Sequence, residues 1–275
     1  MMRLAVLSSL VKLKMRTLFL FVSALLLAAP AFGQDDAEQL ARKLANPVAS
    51  LISVPFQANY DAYMGPAEEG SQWRINIQPV IPFALTENWR LISRTIIPVI
   101  DQQDIPVVGS GASGIGDIVQ SFFVSPAAGG LVWGVGPVLL LPSASDEALG
   151  GEKWGIGPNI LVLKQQGRWT IGALANHIFS VAGDSARADV SATLLQPFVT
   201  YVTPTKTTLG LSTEATRDWE NEVWSVPINV TLSQLLKIGP QIIQVGVGGR
   251  YWAASPDGSP QNWGARVQLT LLFPK

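Results

Sequence analysis

Beyond residue 50 the chain alternates large apolar and polar side chains with a period of two. The last segment is the clearest: Trp263, Ala265, Val267, Leu269, Leu271 and Phe273 form one face, and Arg266, Gln268 and Thr270 lie on the other. Trp73, Ile75, Ile77, Pro79, Ile81 and Phe83 alternate likewise with Arg74, Asn76 and Gln78. Trp224, Val226, Ile228, Val230 and Leu232 do so with Ser225, Asn229 and Thr231. Period two is the mark of a β-strand. A face this uniformly apolar, opposed by Arg, Gln and Asn, suits lipid outside and a polar lumen within. A soluble sandwich would turn its polar face to bulk water and carry more Lys and Glu there.

The pattern predicts twelve strands, beginning near Leu51, Gln72, Trp89, Gly116, Leu131, Lys153, Trp169, Val190, Thr207, Glu222, Gln241 and Asn262. Each has about ten residues or slightly more, the length a tilted membrane strand needs. Long connections at 61–71, 101–115, 143–152, 183–189 and 255–261 alternate with tighter turns such as 85–88, 165–167 and 204–206. The connection at 218–221 is short for its class, and the turn at 233–239 is long. Long outer loops, short periplasmic turns and an even strand number belong to outer-membrane barrels, with both termini in the periplasm. Trp73, Trp154, Trp219, Trp224, Trp252 and Trp263 fall at strand ends beside the long loops, and Trp89, Trp133 and Trp169 open strands leaving the short turns. Two such girdles are expected where amphipathic rings meet lipid headgroups. The predicted fold is therefore all-β, a transmembrane antiparallel β-barrel of about 12 strands with a short N-terminal helix.

Seven prolines oppose this reading, because a proline cannot donate to a ladder and a closed barrel has no edge to hold it. Pro55, Pro79, Pro98, Pro137, Pro158, Pro197 and Pro227 lie within the predicted strands, so bulges or breaks in pairing are expected at several of them. Gln78-Pro79, Gly136-Pro137, Gly157-Pro158 and Gln196-Pro197 repeat one pattern.

Residues 36–46 have a helical period instead, with Asp36 as N-cap, Gln39 three residues on, and Ala37, Leu40, Ala41 and Leu44 on one face. Asn46-Pro47 ends the segment. It reads either as a plug or lid, or as a tether packed near the barrel rim.

Hydrophobic residues make up 48% and charged residues 14% of the 275, with a mean hydropathy of +0.28. Soluble domains carry roughly 25% charged residues, so this chain is unusually apolar. Arg3, Lys12, Lys14 and Arg16 precede an apolar run from Thr17 to Ala29, then Pro30-Ala31-Phe32-Gly33. This predicts a signal peptide over 1–33 cleaved after Gly33, a periplasmic helical segment over 34–50 and the barrel over 51–275. Cleavage removes four basic residues and leaves 15 basic against 20 acidic, a net charge of −5. That balance argues against a nucleic-acid partner.

No cysteine and one histidine exclude disulfides, thiol chemistry and a His-rich metal site. Neither metal nor cofactor is expected, and the carboxylate pairs Glu68-Glu69 and Asp146-Glu147 read as solvated loop charge. A lipase would need Ser and His in hydrogen-bond reach. His177 and Ser180 are three apart and so on opposite strand faces, Asn176 also faces away from His177, and a serine on a neighbouring strand stays open. Gly155-Ile-Gly157 and Gly246-Val-Gly-Gly249 lack a P-loop lysine, and their glycines read as lumen space or strand bends.

Charges facing lipid cost ~2–4 kcal/mol at the midplane, so parity assigns Arg74, Arg94, Glu214, Arg250 and Arg266 to the lumen. Asn76, Gln78, Gln244 and Gln268 complete the expected lining. Four arginines against Glu214 give that lining a positive balance.

Several segments carry a resemblance: Asn46-Pro-Val-Ala-Ser-Leu-Ile-Ser-Val-Pro-Phe-Gln57, Gln78-Pro-Val-Ile-Pro-Phe83 and Ile92-Ser-Arg-Thr-Ile-Ile-Pro98. So do Trp133-Gly-Val-Gly-Pro137, Trp154-Gly-Ile-Gly-Pro158, Trp224-Ser-Val-Pro-Ile-Asn229 and the terminal Leu-Phe-Pro-Lys275. The chain resembles proteobacterial outer-membrane transporter-like barrels related to the meta-pathway of phenol degradation group, sometimes mislabelled neuromedin U. The resemblance spans essentially all of the mature chain. It implies a cell outer membrane protein that moves small, often hydrophobic or aromatic, solutes, and it carries over no catalytic or ligand residue. The final Lys275, two beyond Phe273, departs from the terminal aromatic usual in assembly signals. Expected partners are outer-membrane lipids and lipopolysaccharide, a small-molecule solute and the barrel-assembly machinery. The alternatives to a non-enzymatic channel are a closed structural or adhesive barrel and an outer-membrane lipid hydrolase.

Overall fold

The alternating segments pair into one closed antiparallel sheet. A computed structural model describes residues 39–41, 43–46 and 51–273; the signal segment and the Asp36 cap lie outside them. Twelve strands follow in order: β1 (Ile52–Met64), β2 (Gly70–Ile77, resuming at Val80–Ala84), β3 (Trp89–Gln103) and β4 (Gly111–Ile115, resuming at Ile118–Pro126). Then come β5 (Leu131–Leu141), β6 (Lys153–Gln166), β7 (Trp169–Gly183), β8 (Ser191–Val202) and β9 (Thr207–Thr213, resuming at Ala215–Asp218). β10 (Val223–Ile238), β11 (Gln241–Ala254) and β12 (Asn262–Phe273) complete the series. Each strand pairs with its sequence neighbours, and β12 returns to β1 in a ladder from Phe273 opposite Ile52 to Ala265 opposite Tyr60. Residues 39–41 and 43–44 are helical.

The connections at one end have two to four residues and at the other four to eleven. The expected long turn at 233–239 is corrected: β10 runs on to Ile238, so only residues 239 and 240 turn. β4 begins at Gly111 rather than Gly116, because Gly111–Ile115 pairs by backbone with Val99–Gln103 without an alternating pattern. The longest loop folds around Asp117, whose carboxylate accepts from the backbone of Ser143, Ala144 and Gly151.

Ile75, Ile81, Val135, Ile160, Val162, Ile171, Leu195, Leu211, Ile228, Val230 and Leu269 stay exposed on the outer surface. An exposed apolar surface on this scale, around a closed ring, belongs in lipid. Rings meet at its margins: Tyr60 and Trp73 (centroids 5.1 Å), Tyr251 and Trp263 (5.0 Å), Trp89 and Trp133 (5.8 Å), Trp169 and Tyr201 (4.8 Å). Trp252 departs from the expected girdle. It shares parity with buried Arg250 and donates Nε1–H to buried Asp61, so Tyr251 takes its place outside.

All seven strand prolines sit where a ladder is interrupted or shifted. Pro137 and Pro158 face each other across the unbroken β5–β6 ladder. Their missing donors point the other way. Pairing lapses between β4 and β5 at residues 122–123 and 136–137, and between β6 and β7 at 157–158 and 177–178. A Cβ on Gly136 would lie 2.2 Å from the Phe122 carbonyl oxygen, and one on Gly157 would lie 1.6 Å from that of His177. The Gly-Pro repeat thus joins a residue that cannot donate to one that lets the orphaned carbonyl lean over it. Pro197 and Pro227 flank the break in β9 on either side. Pro55 faces the break in β2 and Pro79 lies in it, and Pro98 faces the break in β4, where the register also shifts by one residue. Single bonds survive: Gln78 N–H to Pro55 O (2.8 Å), Thr95 N–H to Pro79 O (3.1 Å) and Gly116 N–H to Pro98 O (2.8 Å). Gln120 adds a side-chain bond to the Arg94 carbonyl.

Inside, the short-turn half is not uniformly polar as expected. Ile92, Phe123, Leu161, Leu163, Leu174 and Val80 form a buried cluster with Val132, Leu194 and Phe198 against it. A second cluster of Leu51, Leu235 and Leu272 receives Leu40 and Leu44, which seats the helix at the short-turn end.

Candidate functional site

Inward parity on neighbouring strands brings the predicted charges together. Arg266 on β12 clamps Glu214 with two bonds of 3.0 and 2.9 Å, and its Nε donates to Asn59 on β1 (2.7 Å). Glu214 sits at the break in β9, between the two flanking prolines, where freedom from the ladder lets its side chain reach across. Arg250 on β11 donates to Asp61 (3.1 Å), lies 4.0 Å from Glu214 and stacks 4.8 Å over the Trp252 ring. Asp61, expected in a loop, is a buried β1 residue because paired strands continue beyond the apolar belt.

Two guanidiniums differ. Arg74 Nε donates to Gln72 Oε1 (3.2 Å), within a relay from Gln72 to Gln102 (3.0 Å). Arg94 Nη2 donates to Gln78 Oε1 (2.6 Å), and Gln78 and Gln268 both reach Gln57 Oε1 (3.5 and 3.4 Å). Among the described residues neither Arg74 nor Arg94 has a carboxylate within 4.0 Å.

Two cavities of about 270 Å³ each occupy the lumen. The one at the short-turn end is lined partly by Lys43, Leu44, Ala45 and Asn46 of the helical segment, and by Gln244, Arg266 and Gln268. The other is lined by Asn76, Ile96, Val119 and Asn176 among others. Gln57, Gln78, Arg94, Leu174, Gln196 and Glu214 line both, and so form the junction. Of the predicted lining, Arg74 and Arg250 border neither cavity; Arg250 is held in its ion pair. Gln57, Leu174 and Gln196 were not on the predicted list. The repeat of Gln78-Pro79 and Gln196-Pro197 carried the signal: each places a glutamine at the junction beside a ladder gap.

His177 meets no serine among the described residues. Its Nδ1 lies 2.9 Å from Thr193 Oγ1, which already accepts from Trp219 Nε1 (2.8 Å). Ser180 instead donates to Asp189 and accepts from Val190 N–H. Asp189 in turn accepts from Lys153 Nζ at 2.9 Å, and that bond holds its carboxyl below the ordinary range.

No protein-family model matches the sequence, and no curated relative of significant similarity is found. Among solved structures, an outer membrane channel from Pseudomonas putida F1 is 15% identical, with a TM-score of 0.62 over 81% of this chain and 94% of that one. The NanC porin is 10% identical, with a TM-score of 0.49 over 82% and 100%. The Salmonella typhi outer membrane phospholipase dimer with bound calcium is 10% identical, with a TM-score of 0.48 over 85% and 97%. The similarity to the first places this chain among barrels of the outer-membrane type.

Proposed function

We propose that the chain is an outer-membrane channel for small solutes, hydrophobic or aromatic ones included, and that its pore favours anions. The observation that carries this is the pair of adjoining lumen cavities with Arg94 at their junction. Arg74, Arg94, Arg250 and Arg266 outnumber Asp61 and Glu214, and fixed charge in a narrow low-dielectric passage biases which ions enter. A twelve-strand wall encloses less space than the 16–18-strand porins, and the helix at the short-turn end narrows the mouth. The exterior belt is suited to outer-membrane lipid and lipopolysaccharide, and the barrel-assembly machinery is the expected inserter.

Purified protein in planar bilayers should give a small conductance with a reversal potential shifted toward that of the anion. Replacing both Arg74 and Arg94 with alanine should reduce the shift, and deleting residues 34–46 should raise conductance. A barrel that neither conducts nor takes up solute, with or without those residues, defeats the channel reading.

A further inference from the structure

The inward charges do not cancel evenly. Arg250 and Arg266 have Asp61 and Glu214 as partners at 2.9 to 3.1 Å. Both Glu214 oxygens are bonded by Arg266, so Glu214 acts on Arg94 only through space, beyond 4.0 Å, although both line the junction. A guanidinium presents five donors in a planar fork suited to two oxygens of one anion. Among the described residues, the hydrogen bond given to the Arg94 side chain is the one from Nη2 to Gln78. Gln57 and Gln196 line the same junction.

A bare inorganic anion does not use the rest of the site. Leu174 lines both cavities, Val80 and Phe198 line the cavity at the short-turn end, and Leu194 lines the other. Leu174 and Val80 belong to the buried apolar cluster. Small-molecule sites join apolar wall to convergent polar groups, and here the apolar side chains share the short-turn cavity with Gln244, Gln268, Thr200 and Thr231. We infer that the junction binds an amphiphilic organic anion, with its carboxylate on Arg94 and Gln78 and its hydrocarbon body along Leu174 and Phe198. This rests on the lumen's serving as the solute path, and it narrows the solute class to apolar molecules carrying one carboxylate. Arg94 then sets specificity through a buried charge-assisted pair, and the apolar wall discriminates against small polar anions.

Equilibrium dialysis of the full mature chain in nonionic detergent tests the site without requiring conduction. The probes are hexanoate, hexanamide and acetate. Hexanoate should bind at least tenfold more tightly than either hexanamide, which lacks the charge, or acetate, which lacks the body. Arg94→Gln should abolish the preference over hexanamide. Gln78→Glu leaves Arg94 in place but supplies it with a carboxylate, and it should weaken hexanoate to a similar degree should Arg94→Gln fail to fold. Phe198→Ser should lose the preference over acetate. Equal binding of hexanoate and hexanamide overturns the proposal, as does equal binding of hexanoate and acetate, or hexanoate binding unchanged in both junction variants. Bilayer conductance is a separate readout: a conducting barrel without hexanoate preference leaves the channel and removes the site. A non-conducting barrel with Arg94-dependent binding does the reverse.

Discussion

The wall from β10 through β11 and β12 to β1 and the wall from β2 to β9 are built on different rules. In the first, the ladders run with one register shift, at Val226/Pro227 near the loop end of β10. Its inner face carries Asn59, Asp61, Arg250 and Arg266, all buried. In the second, three strands are broken, two more ladders lapse at facing prolines, and the inner face of the short-turn half is apolar. A buried ion pair is stabilising only when its geometry is held closely, and continuous pairing holds Arg266 and Asn59 in place. Apolar packing is non-directional and tolerates a wall that gives up hydrogen bonds. The contrast shows two ways of filling a lumen: the regular wall buries Asn59, Asp61, Arg250 and Arg266, and the interrupted one sets hydrocarbon in its short-turn half beside Arg74, Arg94 and Glu214.

The largest effect should come from the interrupted wall. Gly157→Ala puts a methyl carbon 1.6 Å from the His177 oxygen, so the backbone of β6 or β7 must move. Overpacking ordinarily costs about 1–3 kcal/mol and more where backbone is hit. The variant should lose most of its folded, heat-modifiable gel band. Gly130→Ala, where an added Cβ meets nothing within 4 Å, should keep it. Equal behaviour of the two would mean that the gaps are not under steric control.

On the regular wall, Asp61→Asn leaves buried Arg250 with only Glu214 at 4.0 Å, and breaking a buried pair costs roughly 3–5 kcal/mol at most. Guanidinium unfolding in liposomes should show this loss, and the double variant Asp61→Asn, Arg250→Gln should recover part of it. No recovery would show that the two residues contribute separately.

The smallest effect lies outside the membrane. Asp189 is an exposed carboxylate held below its ordinary range chiefly by the Lys153 hydrogen bond. A lowered folded-state pKa means that the tie is intact above the unfolded carboxylate pKa and lost as pH falls through the folded one. Amide exchange in the loop at 184–190 should therefore quicken only in acid, below the ordinary carboxylate range. Lys153→Met should make it fast at neutral pH too, and a pH-independent loop would refute the tie.

Much of this was legible before folding. The starts at Trp89, Leu131, Lys153, Trp169, Thr207, Gln241 and Asn262 coincide with those observed; at the first four a Trp, Leu or Lys marks where alternation begins. Glu214 could be placed inward although β9 breaks there, because parity survives the break. Trp252 could not be placed by position alone: strand ends hold both girdle and lumen residues, and only its spacing of two from Arg250 tells them apart. Asp61 was hidden by its nearness to a loop. Gln57 was hidden because its partner Gln268 comes from a strand far apart in sequence.

The facing prolines also govern how wide the barrel can be. Barrel diameter depends on strand number and on shear, the total stagger accumulated round the ring. Sliding β6 against β7 by two residues would change the shear. In either direction it would set Pro158 against a carbonyl that now has a donor, and in one direction it would bring Asn159, in place of Gly157, under the His177 oxygen. The same slide between β4 and β5 meets Pro137 and the Phe122 oxygen. The notches in the wall act as keys that admit one stagger, so the bore is set by the backbone before any solute enters it.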